Sequence, residues 1–566
     1  MNSWFVLLVR HFITRFFDNE IVAQSTDMST TMVQGVGMAA APGMLFAFYM
    51  LPQEVRFDRP FAGHWGMVTD CYFFVLYSMV VMGLVMILQW DALFPDRRDY
   101  LILTPLPLRE NAIFLGKFAA LLGFMAIFLL AANFFGMFLG PIMMGGSGVP
   151  LTMTARVAWA HFLAVAAAGA FVALAFAGIQ GVLINVLTGR AFRRISPWVQ
   201  MAAMGLVIAV LFLTPLVCPL IRPVISTHHD MMKWFPPFWF LGLYLDLLPG
   251  HPAGATFHEL AAYAQRGLGI AGAAFVLTYL IGYRRHARRV MTSMETAGEG
   301  PGLARRVFDR SVNRWLLPHP LERATFHFMG NTILRNARPR LLLAGYAGVA
   351  IALMLPGFLA VGESHGAPKL TFLPAGMAAV PLTLMFFAVT GLRATFNFPA
   401  ELRANWIFQM AESEENSRHL RAVRKWVVTL VLAPLTLLLA PWEIHVRGWW
   451  LGLIHLSFAF LVGLLMLGLL LVWFRKIPFT CSYFPGKTSM AIMALIYILA
   501  FATYNWTMPR LEEKLIGAPA ALVFCYALGF LALFGLSLLE RREFGIDNVL
   551  IYEDQPDPVV RILELG

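Results

Sequence analysis

The sequence predicts an all-α polytopic membrane protein of about twelve transmembrane helices in two six-helix halves, with amphipathic surface helices. Three observations lead there. Hydrophobic residues make up 59% of the 566 residues and charged residues only 13%, a balance outside the range of soluble domains. About a dozen apolar stretches reach the roughly 20 residues that cross a hydrocarbon core. Almost no acidic residue falls near the centre of these stretches.

The N-terminal segment MNSWFVLLVRHFITRFFDNE has a short apolar run interrupted by Arg10 and Arg15. It reads as an amphipathic helix on the cytoplasmic surface rather than a cleavable signal. Spans follow at 31–51, 68–90, 113–140, 157–187, 199–221 and 267–283. A second set is expected at 341–361, 370–392, 425–441, 449–474, 490–506 and 518–539. Lysine and arginine favour cytoplasmic N- and C-termini in a cell membrane, because most of the 43 basic residues then lie inside. The net charge of +11 is therefore a topology signature. A nucleic-acid groove is set aside, since the basic residues are spread over many separate loops.

The longest cytoplasmic connection, 284–340, carries Arg284, Arg285, Arg288, Arg289, Arg305 and Arg306 and the flexible run AGEGPG. It divides the chain into a first half, 1–290, and a second half, 291–566. FHFMGNTILRNARPR before the seventh span matches FVLLVRHFITRFF before the first in style, which suggests an internal duplication. Between 222 and 266, MMKWFPPFWFLGLYLDLLPG reads as a re-entrant or interfacial hairpin, its prolines and Asp246 arguing against a full span.

Two loops carry the functional argument. After the second span the chain reads WDALFPDRRDYLILTPLPLRENAIFLGKFAALL. Phe94, Tyr100, Leu101 and Leu103 suit a membrane-facing side, while Asp96, Arg97, Arg98 and Asp99 stay wet. Pro105 and Pro107, with Leu106 between them, end the helix and turn the chain into the third span. A stiff surface helix joined this way transmits a push into the bilayer. FNFPAELRANWIFQMAESEENSRHLRAVRKW holds the equivalent place in the second half. Both loops open on Phe-Pro and close on a lysine, Lys117 or Lys425. Leu402, Trp406 and Met410 share one helical face, and Glu401 and Arg403 fall elsewhere.

The run Asp99–Leu108 with Lys117 beyond it resembles the permease subunits of ATP-binding-cassette exporters of the type 2 class. FPAELRANWIF, Phe398–Phe408, resembles its partner in duplicated members. The resemblance implies a coupling helix docking on a separate ATPase, with one permease chain and two ATPase copies. It assigns ATPase coupling to Asp96, Arg98, Asp99, Tyr100, Pro105, Leu106, Pro107, Lys117, Glu401, Arg403, Trp406, Glu414 and Arg421. The second loop departs from the pattern in lacking Leu-Pro-Leu.

Other chemistry is set aside. Gly486-Lys487-Thr488 imitates the end of a phosphate-binding loop, but Cys481 stands where that motif needs glycine. His228, His229, Asp230, His251 and His258 read as a wet loop rather than a zinc site. The four cysteines have no paired spacing. Asn133, Gln180, Asn185 and Asn505 read as interhelical hydrogen-bond partners. His161 and His455 lie within spans as weak candidates for proton or acyl transfer. No cofactor, metal or catalytic residue is expected. The expected function is an exporter permease for an amphipathic or lipid-like cargo, in contact with membrane lipid. The alternatives are an ion-coupled secondary transporter, disfavoured by the scarcity of buried acids, and a membrane-embedded acyl or glycosyl transferase.

Overall fold

The computed structural model describes residues 3–17, 63–93, 110–145, 150–248, 255–292, 303–364, 367–372, 379–398, 405–410, 417–481, 490–546 and 550–551, with isolated positions at 36–44, 103 and 376. Among them, nine helices are long and apolar enough to cross a membrane. They overlie nine of the expected spans and make the chain a multi-pass membrane protein. The expected span 370–392 corresponds to a shorter apolar helix, Ala379–Thr395, and 490–506 lies within the helix Met490–Ile516. The expected span 31–51 lies almost entirely outside the described residues. The chain divides into two compact units, Met1–Glu299 with Val361–Thr371, and Gly300–Ala360 with Phe372–Gly566. The sequence places its division at 290/291.

In the first unit, α1 (Ser3–Phe17) precedes α2 (Gly63–Leu88), α3 (Glu110–Gly145), α4 (Leu151–Val186) and α5 (Gly189–Phe212). The helices α6 (Thr214–Ser226), α7 (Met231–Trp234), α8 (Pro236–Leu247) and α9 (Ala255–Thr292) complete it. The central helix is α4, packed against α2, α3, α8 and α9. Its buried stripe of Ala164, Ala168, Gly169, Ala173, Ala177 and Gly178 explains why: small residues let backbones approach where apolar lipid supplies no hydrophobic drive between helices. A Cβ on Gly169 would stand 2.6 Å from both Leu129 Cδ1 and Ser78 Oγ.

Asn133 Nδ2 reaches Ser78 Oγ at 3.1 Å, and Asn185 Nδ2 donates to the Thr278 carbonyl at 2.8 Å. Gln180 Nε2 donates to the Trp90 carbonyl, and in the second unit Thr383 Oγ1 donates to Asn505 Oδ1 at 3.5 Å. All four polar residues thus join different elements, as the sequence reading has it.

The segment 222–266, expected as a re-entrant or interfacial hairpin, holds α8, a 12-residue helix buried through Phe238, Phe240, Leu241, Tyr244 and Leu245. Pro236 and Pro237 open it instead of breaking it, since a proline in the first turn needs no N–H partner. The register of α8 on α9 depends on Gly242, where a Cβ would stand 2.3 Å from Leu260 Cβ and 3.1 Å from the Phe257 carbonyl. Gly242→Ala is expected to destabilise the chain by about 1–3 kcal/mol through overpacking, read as a lower thermal midpoint in detergent. An unchanged midpoint would show that α8 has room on α9.

The second unit contains α10 (Leu303–Trp315), α11 (Pro320–Arg335), α12 (Ala337–Phe358) and α13 (Ala379–Thr395). After them come α14 (Asn405–Met410), α15 (Ser417–Val427), α16 (Ala433–Arg447), α17 (Trp449–Leu471), α18 (Met490–Ile516) and α19 (Pro519–Ile546). Here α17 is central, against α13, α16 and α19. One π turn, Val428–Leu432, joins α15 to α16 just before Pro434, which has no N–H to return to the preceding turn. Among the described residues the departure from helix is a two-stranded sheet of β1 (Leu359–Ser364) and β2 (Ala367–Phe372), most of it in the first unit.

Candidate coupling face

Each loop singled out in the sequence leaves one helix and enters another, and the structure shows what fixes those two points. In the first unit, Trp90 and Leu93 are buried where the loop begins, and Leu103 and Ile113 are buried further along. The last carbonyls of α2, which have no partner within the helix, are met from other elements. Gln200 Nε2 donates to the Ile87 carbonyl at 2.9 Å, and Gln180 does the same for Trp90. Trp90 Nε1 donates to Ser196 Oγ at 2.9 Å.

The N-terminal helix closes this arrangement. Leu8, Phe12 and Phe16, four apart on one face of α1, are buried against α3. Phe16 stacks at 4.9 Å between ring centroids on Phe124, and its carbonyl accepts from Gln89 Nε2 at 2.9 Å. The Lys117 ammonium lies 4.9 Å from the ring centre of Phe12 and 4.6 Å from that of Phe16. A desolvated cation over an aromatic face is worth about 1–2 kcal/mol. Beside it, His11 is held below the ordinary imidazole range, first by burial and then by the positive charges of Arg15 and Lys117.

The second unit repeats the device with different chemistry. Lys425, on α15, donates to Glu322 Oε2 at 2.6 Å and to the Leu316 carbonyl at 2.8 Å. Glu322 opens the lead-in helix α11 and is buried. On the same interface Thr325 Oγ1 and His419 Nδ1 are 2.6 Å apart. In each half, then, the lysine that ends the loop is joined to the lead-in helix that precedes that half's first span.

The entry to the second loop is also fixed. Arg393 Nε donates to the Leu470 carbonyl at 3.0 Å, and its guanidinium lies 4.6 Å from the Phe474 ring. Phe396 is buried and accepts from the Phe479 N–H at 3.2 Å. Phe479 has φ +66, a costly backbone for a bulky side chain that its surroundings must hold in place.

Of the residues assigned to coupling, Asp96, Arg98, Asp99, Tyr100, Pro105, Leu106, Pro107, Glu401, Arg403 and Glu414 lie outside the described residues, as does Gly486–Thr488. Lys117 is 3% exposed, so it seats α1 and reaches no partner surface. Trp406 is the opposite case. The short helix α14 is tethered by Asn405 Nδ2 on the Thr480 carbonyl at 2.8 Å and by Phe408 against Phe328, ring centres 5.0 Å apart. Those anchors leave Trp406, Ile407 and Met410 outward, 57%, 52% and 79% exposed. Arg421 is exposed on α15, while its neighbour Arg424 pairs with Glu540 at 2.5 Å.

The sequence reading missed a second set of polar groups. Glu443 and Glu512 are buried within the continuous helices α16 and α18, although the expected spans stop short of both. They flank His455, whose Nδ1 is paired with Glu512 Oε1. A carboxylate at a span end reads as a boundary in a hydropathy window; the i, i+4 spacing of Glu443 and Arg447 was the available sign that the helix continues through it.

Among the described residues no group of three His, Cys, Asp or Glu side chains is arranged to hold a metal ion. His228 Nδ1 is 2.8 Å from Thr256 Oγ1, and His258 is 3.4 Å from Asp246. The four cysteines are free thiols. No protein-family model, curated protein or solved structure matches this chain.

Proposed function

We propose that the chain is the transmembrane permease of an ATP-driven exporter, worked by two separate ATPase subunits on the cytoplasmic side of a cell membrane that holds both termini inside. One observation carries the reading. In both halves the loop expected to meet the ATPase returns through a lysine tied to the helix that leads into that half. A push on either loop therefore reaches two helices at once. The outward Trp406–Ile407–Met410 face of α14 supplies an apolar contact of the kind that anchors a protein interface, and Arg421 is exposed on α15. The chain moves the cargo and the ATPase partners hydrolyse the nucleotide; an amphipathic or lipid-like molecule suits the apolar spans.

The test is a purified complex of the chain with a candidate ATPase partner, reconstituted in vesicles. Arg98→Glu combined with Pro105→Ala is expected to cut ATP-driven transport at least tenfold while ATPase turnover continues. Full transport by that variant would remove the coupling assignment.

A second reading, an ion-coupled transporter, is favoured by the burial of Glu443 and Glu512 beside His455, since intramembrane acids are costly and kept for use. Substrate movement by the isolated chain under a proton or sodium gradient alone would select it.

A further inference from the structure

We propose that Glu443, His455 and Glu512 form a proton-binding site that ties together the ends of α16, α17 and α18, holding its proton between His455 Nδ1 and Glu512 Oε1. The three side chains come from three helices and are 1%, 0% and 2% exposed. His455 Nε2 faces Glu443 Oε1 at 3.9 Å, and Arg447 Nε lies 3.0 Å from Glu443 Oε2. The set is more than a packed ion cluster because its capacity is unfilled. His455 Nε2, Glu512 Oε2 and Glu443 Oε1 are buried without a hydrogen bond, while Glu443 Oε2 is met by Arg447; unmet polar atoms are a costly state for groups that stay charged.

Charge arithmetic gives the site its sense. With a neutral imidazole, two carboxylates and one guanidinium leave one net negative charge in a water-poor environment. One added proton makes the set neutral, and burial favours the neutral set. Among the described residues, Arg447 is the one lysine or arginine paired with the set. On α18, Arg510 turns away to the Trp506 carbonyl, and Tyr504 Oη donates to the Leu382 carbonyl. On α19, Tyr526 bonds Ser457 Oγ at 2.6 Å. The α13 helix offers Thr383, already on Asn505, and its Arg393 bonds Leu470 at the far end of α17.

The site lies within about two turns of the start of α17. Trp449 and Trp450 stand exposed at the start of α17, as tryptophans do at a membrane–water boundary. Close packing makes protonation matter to the helices: a Cβ on Gly452 would stand 3.0 Å from the Glu443 carbonyl, so α16 and α17 have no slack to part around an uncompensated charge.

The experiment is thermal unfolding of the full-length chain in detergent between pH 5 and 8. Because the protonated set is the neutral one, the wild-type midpoint falls as pH rises, by at most a tenfold change in the unfolding constant per pH unit for one proton. Glu512→Gln removes one negative charge and is expected to keep at pH 8 the midpoint that wild type shows near pH 5. His455→Gln cannot take the proton and is expected to show at pH 5 the low midpoint of wild type at pH 8. These opposite signs separate a proton site from simple loss of packing. A flat wild-type profile, a Glu512→Gln profile that retains the wild-type slope, or equal loss of fold in both variants would each overturn the proposal. The readout is folding, so the result stands apart from either transport reading.

Discussion

Lys425→Met is expected to destabilise the second unit by about 2–3 kcal/mol, less than the full cost of breaking a wholly buried pair, because Glu322 is buried while Lys425 is 31% exposed. Glu322 is 2% exposed, and its Oε2 lies 2.6 Å from Lys425 Nζ. Removing the ammonium leaves a carboxylate that must either stay charged in apolar surroundings or take up a proton. The Leu316 carbonyl loses its donor in the same step. Pairing Lys425→Met with Glu322→Leu is expected to recover most of the loss, because both polar partners are then gone together. Chemical unfolding in detergent micelles measures all three proteins. A loss below about 1 kcal/mol for the single variant would mean that the pair behaves as a surface ion pair and that α11 and α15 are held by apolar contacts alone.

Phe12→Ala is expected to cost about 3–5 kcal/mol, the range for emptying a fully buried aromatic site. Phe12 is 0% exposed and serves two contacts, the α1 face on α3 and one of the two rings over Lys117. Its loss opens a cavity and half uncovers a buried ammonium. Limited proteolysis near residue 17 should become faster in step with the lost stability, because α1 is held through that one face. Val6→Ala, on the exposed side of the same helix, is expected to stay within about 0.5 kcal/mol. Equal sensitivity at the two positions would refute the one-sided seating of α1.

Much of this architecture is legible in one dimension. An apolar run of sufficient length has to be a helix in lipid, since no other local structure satisfies every backbone group. Hence nine expected spans coincide with helices. The lead-in segments and the paired lysines Lys117 and Lys425 were also visible as a repeat of pattern. Their partners were not. Lys117 stacks on phenylalanines and Lys425 pairs with a glutamate, and nothing in the spacing of either loop distinguishes the two. Where polar residues continue a helix beyond its apolar run, as at Glu443 and Glu512, a hydropathy reading stops too early.

By itself, then, the sequence determined the rough placement of most membrane helices, because burial of the backbone in lipid depends only on local composition. Tertiary structure decided which side chains meet: the seating of α1 and α11, the register of α8 at Gly242, and the union of Glu443, His455 and Glu512. Those depend on the crossing of helices distant in the chain, where the energy of a charged or closely packed group is set by neighbours that no local window contains.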